Sequence, residues 1–102
     1  MNTQGWIRGY IAYNSPLDKF VEFVVETISK EFTQELKVDI INERYEFTMA
    51  RYRFHLTKNE IKVLQHTGPY ALDKTMLETM KKQGLVFDIS RSQYIRYCFG
   101  NI

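Results

Sequence analysis

Three segments of the chain alternate arginine with aromatic residues, a pattern that favours binding over catalysis. They are Trp6-Ile7-Arg8-Gly9-Tyr10, Arg51-Tyr52-Arg53-Phe54 and Tyr94-Ile95-Arg96-Tyr97. The guanidinium group is planar, always charged and able to donate paired hydrogen bonds, so it recognises carboxylates, phosphates and bases. Every arginine falls in a segment that favours a strand or a strand edge, whereas every lysine except Lys37 falls at or in a predicted helix. The sequence therefore predicts an arginine-rich surface on a β-sheet.

Motifs of enzymes and metal sites are missing from the sequence. There is no glycine-rich phosphate loop, no His-Glu-x-x-His, no Cys-x-x-Cys and no Gly-x-Ser-x-Gly. His55 and His66 share no evident face, and a metal site needs three or four converging ligands. Cys98, between two aromatic residues, is expected to be a buried, unreactive thiol. We therefore expect a protein that is not an enzyme and has no cofactor or bound metal.

The composition indicates one globular domain, residues 1–102, with an apolar content of 44% that suffices for a core. A net charge of +2 is too small to indicate nucleic-acid binding by itself. The single cysteine fits a reducing compartment, and no signal peptide or membrane-length apolar run is present. These features predict a cytoplasmic protein without membrane contact. High lysine, isoleucine and tyrosine usage is typical of low-GC bacteria and of their phages or mobile elements.

The first half of the chain is predicted to contain three strands and one helix. Residues 6–13 form a strand with Trp6, Arg8 and Tyr10 on one face. A helix over 16–32 follows, with Ser15 as its N-cap and an apolar stripe at helical spacing. Alternation predicts a strand over 36–40, a turn over 42–44 and one long strand over 45–56.

The second half is predicted to contain two helices and a C-terminal hairpin. Thr57-x-x-Glu60 is a capping box that opens a short helix, which Gly68-Pro69 ends. Asp73 caps the next helix, and Gly84 lies just beyond its end. Strands over 85–89 and 94–99, joined by a turn over 90–92, complete the chain.

The resulting order, β-α-β-β-α-α-β-β, predicts an α+β fold with helices on one face of an antiparallel sheet. The arrangement is ferredoxin-like, with a split second helix and an extra strand. An alternative assigns residues 57–99 to a winged helix, with the C-terminal hairpin as the wing.

Strand alternation predicts which side chains face away from the helices. Seven of them are candidates for partner binding: Trp6, Arg8, Tyr10, Arg51, Arg53, Tyr94 and Arg96. Met49 and His55 are predicted to face the same way. Alternatively, these side chains form only cross-strand pairs with acids such as Asp39, Glu46 and Asp88.

The predicted surface fits two kinds of partner. Tryptophan, tyrosine and arginine dominate protein-binding hot spots, so a small inhibitor, immunity or regulatory protein with an acidic protein partner is expected. The alternative is nucleic acid, bound single-stranded on the sheet or as a duplex by the winged helix. The segment 50–54 lacks the glycine of an RNA-recognition motif. A homodimer with two sheets packed face to face is a further possibility.

Overall fold

The computed structural model describes Arg8 and residues 14–100. Arg8 and Asn14 are helical, so the predicted strand is wrong at Arg8, and Trp6 and Tyr10 lie outside the described residues. The remaining elements are α1 (Leu17–Phe32), β1 (Leu36–Ile41), β2 (Arg44–Met49), β3 (Tyr52–Thr57), α2 (Lys58–Thr67), α3 (Ala71–Lys82) and α4 (Gln93–Cys98).

The long first helix is confirmed, and its apolar stripe forms one side of the core. Phe20, Val21, Val24 and Ile28 are buried at helical spacing. The N-cap is Pro16 rather than Ser15, and no side chain caps this end. Thr33 adopts a left-handed conformation and ends the helix.

The three strands form an antiparallel meander in the order β1-β2-β3. The predicted long strand over 45–56 is instead a hairpin with a turn at Ala50-Arg51, which pairs Met49 with Tyr52. Because paired residues share a face, Met49 is buried beside Tyr52, and the prediction that Met49 faces solvent is wrong. Arg53 and His55 are exposed, as predicted.

The helices after the sheet begin and end close to the predicted positions. Thr57 and Glu60 form the predicted capping box at the start of α2. The N-cap of α3 is Tyr70, so the prediction for Asp73 is wrong: Asp73 lies in the first turn and is fully buried. Gly84 has a φ of 115° just beyond α3, the backbone conformation that favours glycine at a helix end.

The predicted C-terminal hairpin is wrong. Residues 85–88 form no strand, and residues 93–98 form α4, whose N-cap Ser92 accepts a hydrogen bond from the Ile95 amide. A turn is present over 88–91, slightly earlier than the predicted 90–92, and Asp88 accepts hydrogen bonds there from the Ser90 amide and hydroxyl. Since the wing would need strands here, the winged helix is not confirmed.

The domain is α+β, with the helices on one face of the three-stranded sheet. The core includes Tyr45 and Phe47 from β2 and the inner residues of α1 and α3. The ferredoxin-like order is not confirmed, because the described residues after β3 contain three helices and no strand.

Candidate protein-interaction surface

The outer face of the sheet is the side away from the helices. It is formed by the outward residues Lys37, Asp39, Ile41, Arg44, Glu46, Thr48, Arg53, His55 and Thr57. Except for the half-buried Glu46 and Thr48, all of these side chains are exposed, so no described element covers them. The alternation of the strands produces this face directly, because each outward residue follows a residue that points into the core.

Charges on the outer face lie in cross-strand rows. Asp39 is opposite Glu46, which is opposite His55. Like charges directly opposite each other are unfavourable, and Arg44 compensates with a hydrogen bond of 3.0 Å from its Nη2 to Glu46 Oε2. The next row contains Lys37, Thr48 and Arg53. The face therefore presents a cationic row beside an acidic one.

A shallow cavity of about 330 Å³ lies between these rows. Asp39, Glu46, Thr48, Arg53 and His55 contribute to its lining. The cavity therefore offers a bound side chain a hydroxyl, two carboxylates, an imidazole and a guanidinium group. Among the described residues, no group of three or more acids, histidines or cysteines is placed to hold a metal ion.

The arginine pair at the β2–β3 turn is held in place by the end of α3. The Gln83 side chain binds the Arg53 backbone: its Oε1 accepts from the amide at 3.1 Å, and its Nε2 donates to the carbonyl at 2.6 Å. The Arg51 guanidinium lies over the Tyr52 ring, 5.4 Å from its centroid. Both arginines are exposed, and the Arg53 backbone is held by contacts that sequence patterns did not predict.

Two other predicted site residues, Arg8 and Tyr94, meet in the interior instead of on the sheet. The Arg8 guanidinium binds the Asp73 carboxylate, and the Tyr94 hydroxyl donates to the same carboxylate oxygen at 2.5 Å. Phe23 and Tyr70 lie on the guanidinium, with ring centroids at 4.7 Å and 4.8 Å. Arg8 is only 5% exposed, so the prediction of a solvent-facing role is wrong for it.

Arg8, Asp73 and Tyr94 form an interior cluster, and burial shifts the pKa values of its acidic groups. It raises the pKa of Asp73, and the Arg8 charge opposes that rise. Burial and the Asp73 charge also raise the pKa of the Tyr94 hydroxyl. The pKa of the Cys98 thiol rises to about 12, mainly through burial, so this cysteine is unreactive at neutral pH. The buried Cys98 confirms the sequence-based expectation.

The seven predicted binding residues are thus not one sheet face. Arg51 and Arg53 lie together at the turn and on the outer face, whereas Arg8 and Tyr94 belong to the interior cluster. Arg96 is exposed on α4, and its charge lowers the pKa of Asp88, after the Ser90 hydrogen bonds that contribute most. Sequence reasoning missed Lys37 and Gln83. The alternation of β1 places Lys37 on a strand and the pattern of α3 places Gln83 near a helix end, but neither pattern reveals the contacts that these two residues make.

Comparison with protein-family models, with curated proteins and with solved structures found no match. Within the described part of the chain, no helix has both the length and the apolar composition needed to cross a membrane.

Proposed function

We propose that this chain is a small non-catalytic protein-interaction domain that binds its partner through the outer face and the adjoining Arg51 turn. The observation that carries the proposal is the sheet face that no described element covers, on which Arg53 and Arg44 are exposed on two neighbouring strands. Because the strand backbone is already ordered, binding need not order the main chain here, which favours affinity. An inhibitory, immunity or regulatory role fits such a domain.

The charge rows define the kind of partner surface. Arg51, Arg53 and Lys37 at one end of the face call for carboxylates on the partner, which agrees with the predicted acidic partner. Asp39 and Glu46 lie beside them, so the complementary surface needs a cation at its margin. This pattern provides specificity, because a uniformly acidic surface would be repelled by part of the face.

Direct nucleic-acid binding is less well supported by the geometry. A single-stranded platform needs exposed rings for base stacking, yet Tyr45, Phe47 and Tyr52 all point into the core. The charge row Asp39–Glu46 would also repel a phosphate backbone.

The proposal is tested by site-specific photo-crosslinking in lysate of the source organism. A photoreactive residue replacing Thr48, which lies on the central strand between Lys37 and Arg53, is compared with one replacing Glu78 on α3. We expect a discrete protein adduct from position 48 only, and its loss in Arg51→Glu with Arg53→Glu. Lys58→Glu with Lys62→Glu on α2 is the charge-matched control and should keep the adduct. Equal crosslinking from both positions, or an adduct that the arginine variant retains, contradicts the proposal.

Fluorescence anisotropy with labelled single-stranded and duplex oligonucleotides separates the two functions. We expect weak binding that disappears at physiological salt. Binding that persists there and is lost in the Arg51/Arg53 variant would make the protein a nucleic-acid-binding module instead.

A further inference from the structure

The two edges of the sheet differ in how their backbone groups are occupied. On the β3 edge, Gln83 binds the Arg53 backbone and Glu60 accepts from the Thr57 amide. On the β1 edge, among the described residues, a side chain binds only at the beginning, where the Leu36 amide donates to Ser29 Oγ at 2.9 Å. No described strand pairs with β1 except β2. An exposed strand edge of this kind is a template for another strand.

The direction of the free backbone groups follows from the register. The Leu36 amide points away from β2, since it binds Ser29. Alternate residues of an antiparallel strand point their amide and carbonyl to the same side, so Val38 and Ile40 also point away from β2. Val38 is the centre of this outward set. A two-fold axis through it would pair Val38 with its own copy and Leu36 with Ile40 of the second copy.

This register places opposite charges together. With Val38 at the axis, Lys37 lies opposite Asp39 of the second copy, and Asp39 lies opposite the other Lys37. These positions are non-hydrogen-bonded pairs, in which Cα atoms approach to about 4.5 Å and side chains make their closest contact. Both residues are exposed on the outer face. Lys37 has only a 3.8 Å contact to Glu35 at the surface, which is worth little and easily exchanged.

Shifting the two-fold axis by one residue in either direction removes this pairing of opposite charges. An axis at Asp39 would bring two carboxylates face to face, and an axis at Lys37 would bring two ammonium groups together. Like charges directly opposite are unfavourable in a sheet.

We infer that β1 pairs antiparallel with β1 of a second copy of this chain, centred on Val38, to form a continuous six-stranded sheet. The Val38 backbones exchange two hydrogen bonds, and each Ile40 amide donates to the Leu36 carbonyl of the other copy. The exposed Ile40 side chain, 54% accessible, lies on the helix side, where the half-buried Val38 of that copy is its diagonal neighbour across the axis. A six-residue edge is a small interface beside the roughly 1,200 Å² of stable complexes, so we expect a weak dimer that dissociates on dilution.

The inference does not rest on the proposed function, since β1 could pair whether or not the outer face has a partner, although Lys37 and Asp39 belong to both surfaces. It would nevertheless place two outer faces side by side on one sheet. A partner with two acidic sites could then bind both copies with gain from avidity.

Charge exchange across the axis tests the inference by analytical ultracentrifugation from low micromolar to sub-millimolar concentration. We expect the unchanged chain to dimerise, and Lys37→Asp or Asp39→Lys each to weaken dimerisation by about tenfold or more, because two attractive pairs become repulsive. The double variant, Lys37→Asp with Asp39→Lys, restores the opposite charges and should restore the dimer. Asp39→Lys also places a lysine opposite Glu46 within the same copy, so the variant should unfold no more easily than the unchanged chain.

Crosslinking tests the position of the axis. In a hydrogen-bonded pair the Cα atoms lie about 5.5 Å apart, which suits a disulfide. Val38→Cys should therefore form a covalent dimer on mild oxidation, whereas Lys37→Cys, one residue away and facing Asp39 of the other copy, should not. The native Cys98 is buried and contributes no background.

Three outcomes overturn the inference. The first is a monomer at every concentration, which would leave the edge to a strand of another protein. The second is a dimer that both single charge changes leave unaltered. The third is a dimer lost on Arg53→Glu but retained in the β1 variants, which would indicate face-to-face packing of sheets.

Discussion

Gln83 makes with Arg53 the two hydrogen bonds that a neighbouring strand would make. Its side-chain amide accepts from the Arg53 amide and donates to the Arg53 carbonyl, at 3.1 Å and 2.6 Å. A residue just beyond α3 thereby occupies the edge of β3 at Arg53 and holds the backbone of that exposed arginine. The open edge of the sheet is consequently on β1, at the opposite side.

Removing this side chain should loosen the edge of β3 without disturbing the core. We expect Gln83→Ala to lower the free energy of unfolding by about 1–2 kcal/mol, for two partly exposed hydrogen bonds. The Arg53 amide should exchange with deuterium markedly faster, as measured by NMR. Lys82→Ala, at the preceding exposed position, is the control and should leave Arg53 exchange unchanged. Equal protection of the Arg53 amide in both variants would contradict this role of Gln83.

Removing one member of the buried Arg8–Asp73 pair should destabilise the fold strongly, whereas replacing both residues with apolar ones should change its stability little. Arg8→Met leaves a buried carboxylate without its cation, and we expect a loss of about 3–5 kcal/mol in urea unfolding at neutral pH. In this variant burial raises the pKa of Asp73 without the opposing Arg8 charge, so the folded state binds the extra proton and stability should recover as the pH falls.

The double variant, Arg8→Met with Asp73→Leu, is the matched control for that experiment. It removes both charges together and should lie within about 2 kcal/mol of the unchanged chain. A single variant as stable as the double variant would contradict the expected cost of leaving the Asp73 carboxylate buried without its cation.

Alkaline pH should lower the free energy of unfolding, because the buried Tyr45 hydroxyl and Cys98 thiol lose their protons less readily in the folded state. Burial, followed by the Asp18 hydrogen bond and charge, raises the pKa of Tyr45 from 10.0 to about 12, and burial raises that of Cys98 from 9.0 to about 12. The unfolded chain therefore releases these protons first. Stability is complete below about pH 9 and falls as the pH rises toward 12. Urea midpoints measured over this range should decrease, and Tyr45→Phe should make the decrease shallower. A flat profile would contradict the shifts.

Local patterns were sufficient to predict α1, β1 and α2. An apolar stripe, a strict alternation and the Thr57–Glu60 capping box each specify their element within a few residues. The segment 94–99 was misjudged because Tyr94, Ile95 and Phe99 have strand propensity. There the Ser92 cap and the contacts of Tyr94 with Asp73 and Tyr70 favour a helix.

The candidate site was predicted only in part, because contacts between distant parts of the chain decide where some of its residues lie. Arg51 and Arg53 are exposed as predicted, but only Arg53 owes this to strand alternation, because Arg51 lies in the turn that divides the predicted strand. The placement of Arg8 depends on Asp73, which is 65 positions away in the chain. Residue types in a single sequence do not reveal a pairing at that separation, so an arginine with a buried partner looked like a surface arginine.

The turn that divides the predicted long strand has no turn residues, and it provides the last prediction. Ala50 has a φ of 52°, a left-handed conformation that costs a residue with a Cβ about 1 kcal/mol relative to glycine. Ala50→Gly should therefore raise the free energy of unfolding by about 0.5–1 kcal/mol. The same change at Ala71, in the first turn of α3, should lower it, because glycine is unfavourable in a helix. Urea unfolding of the two variants measures the difference. If Ala50→Gly is destabilising, the backbone at the β2–β3 turn is not left-handed, and the buried pairing of Met49 with Tyr52 must be reassigned.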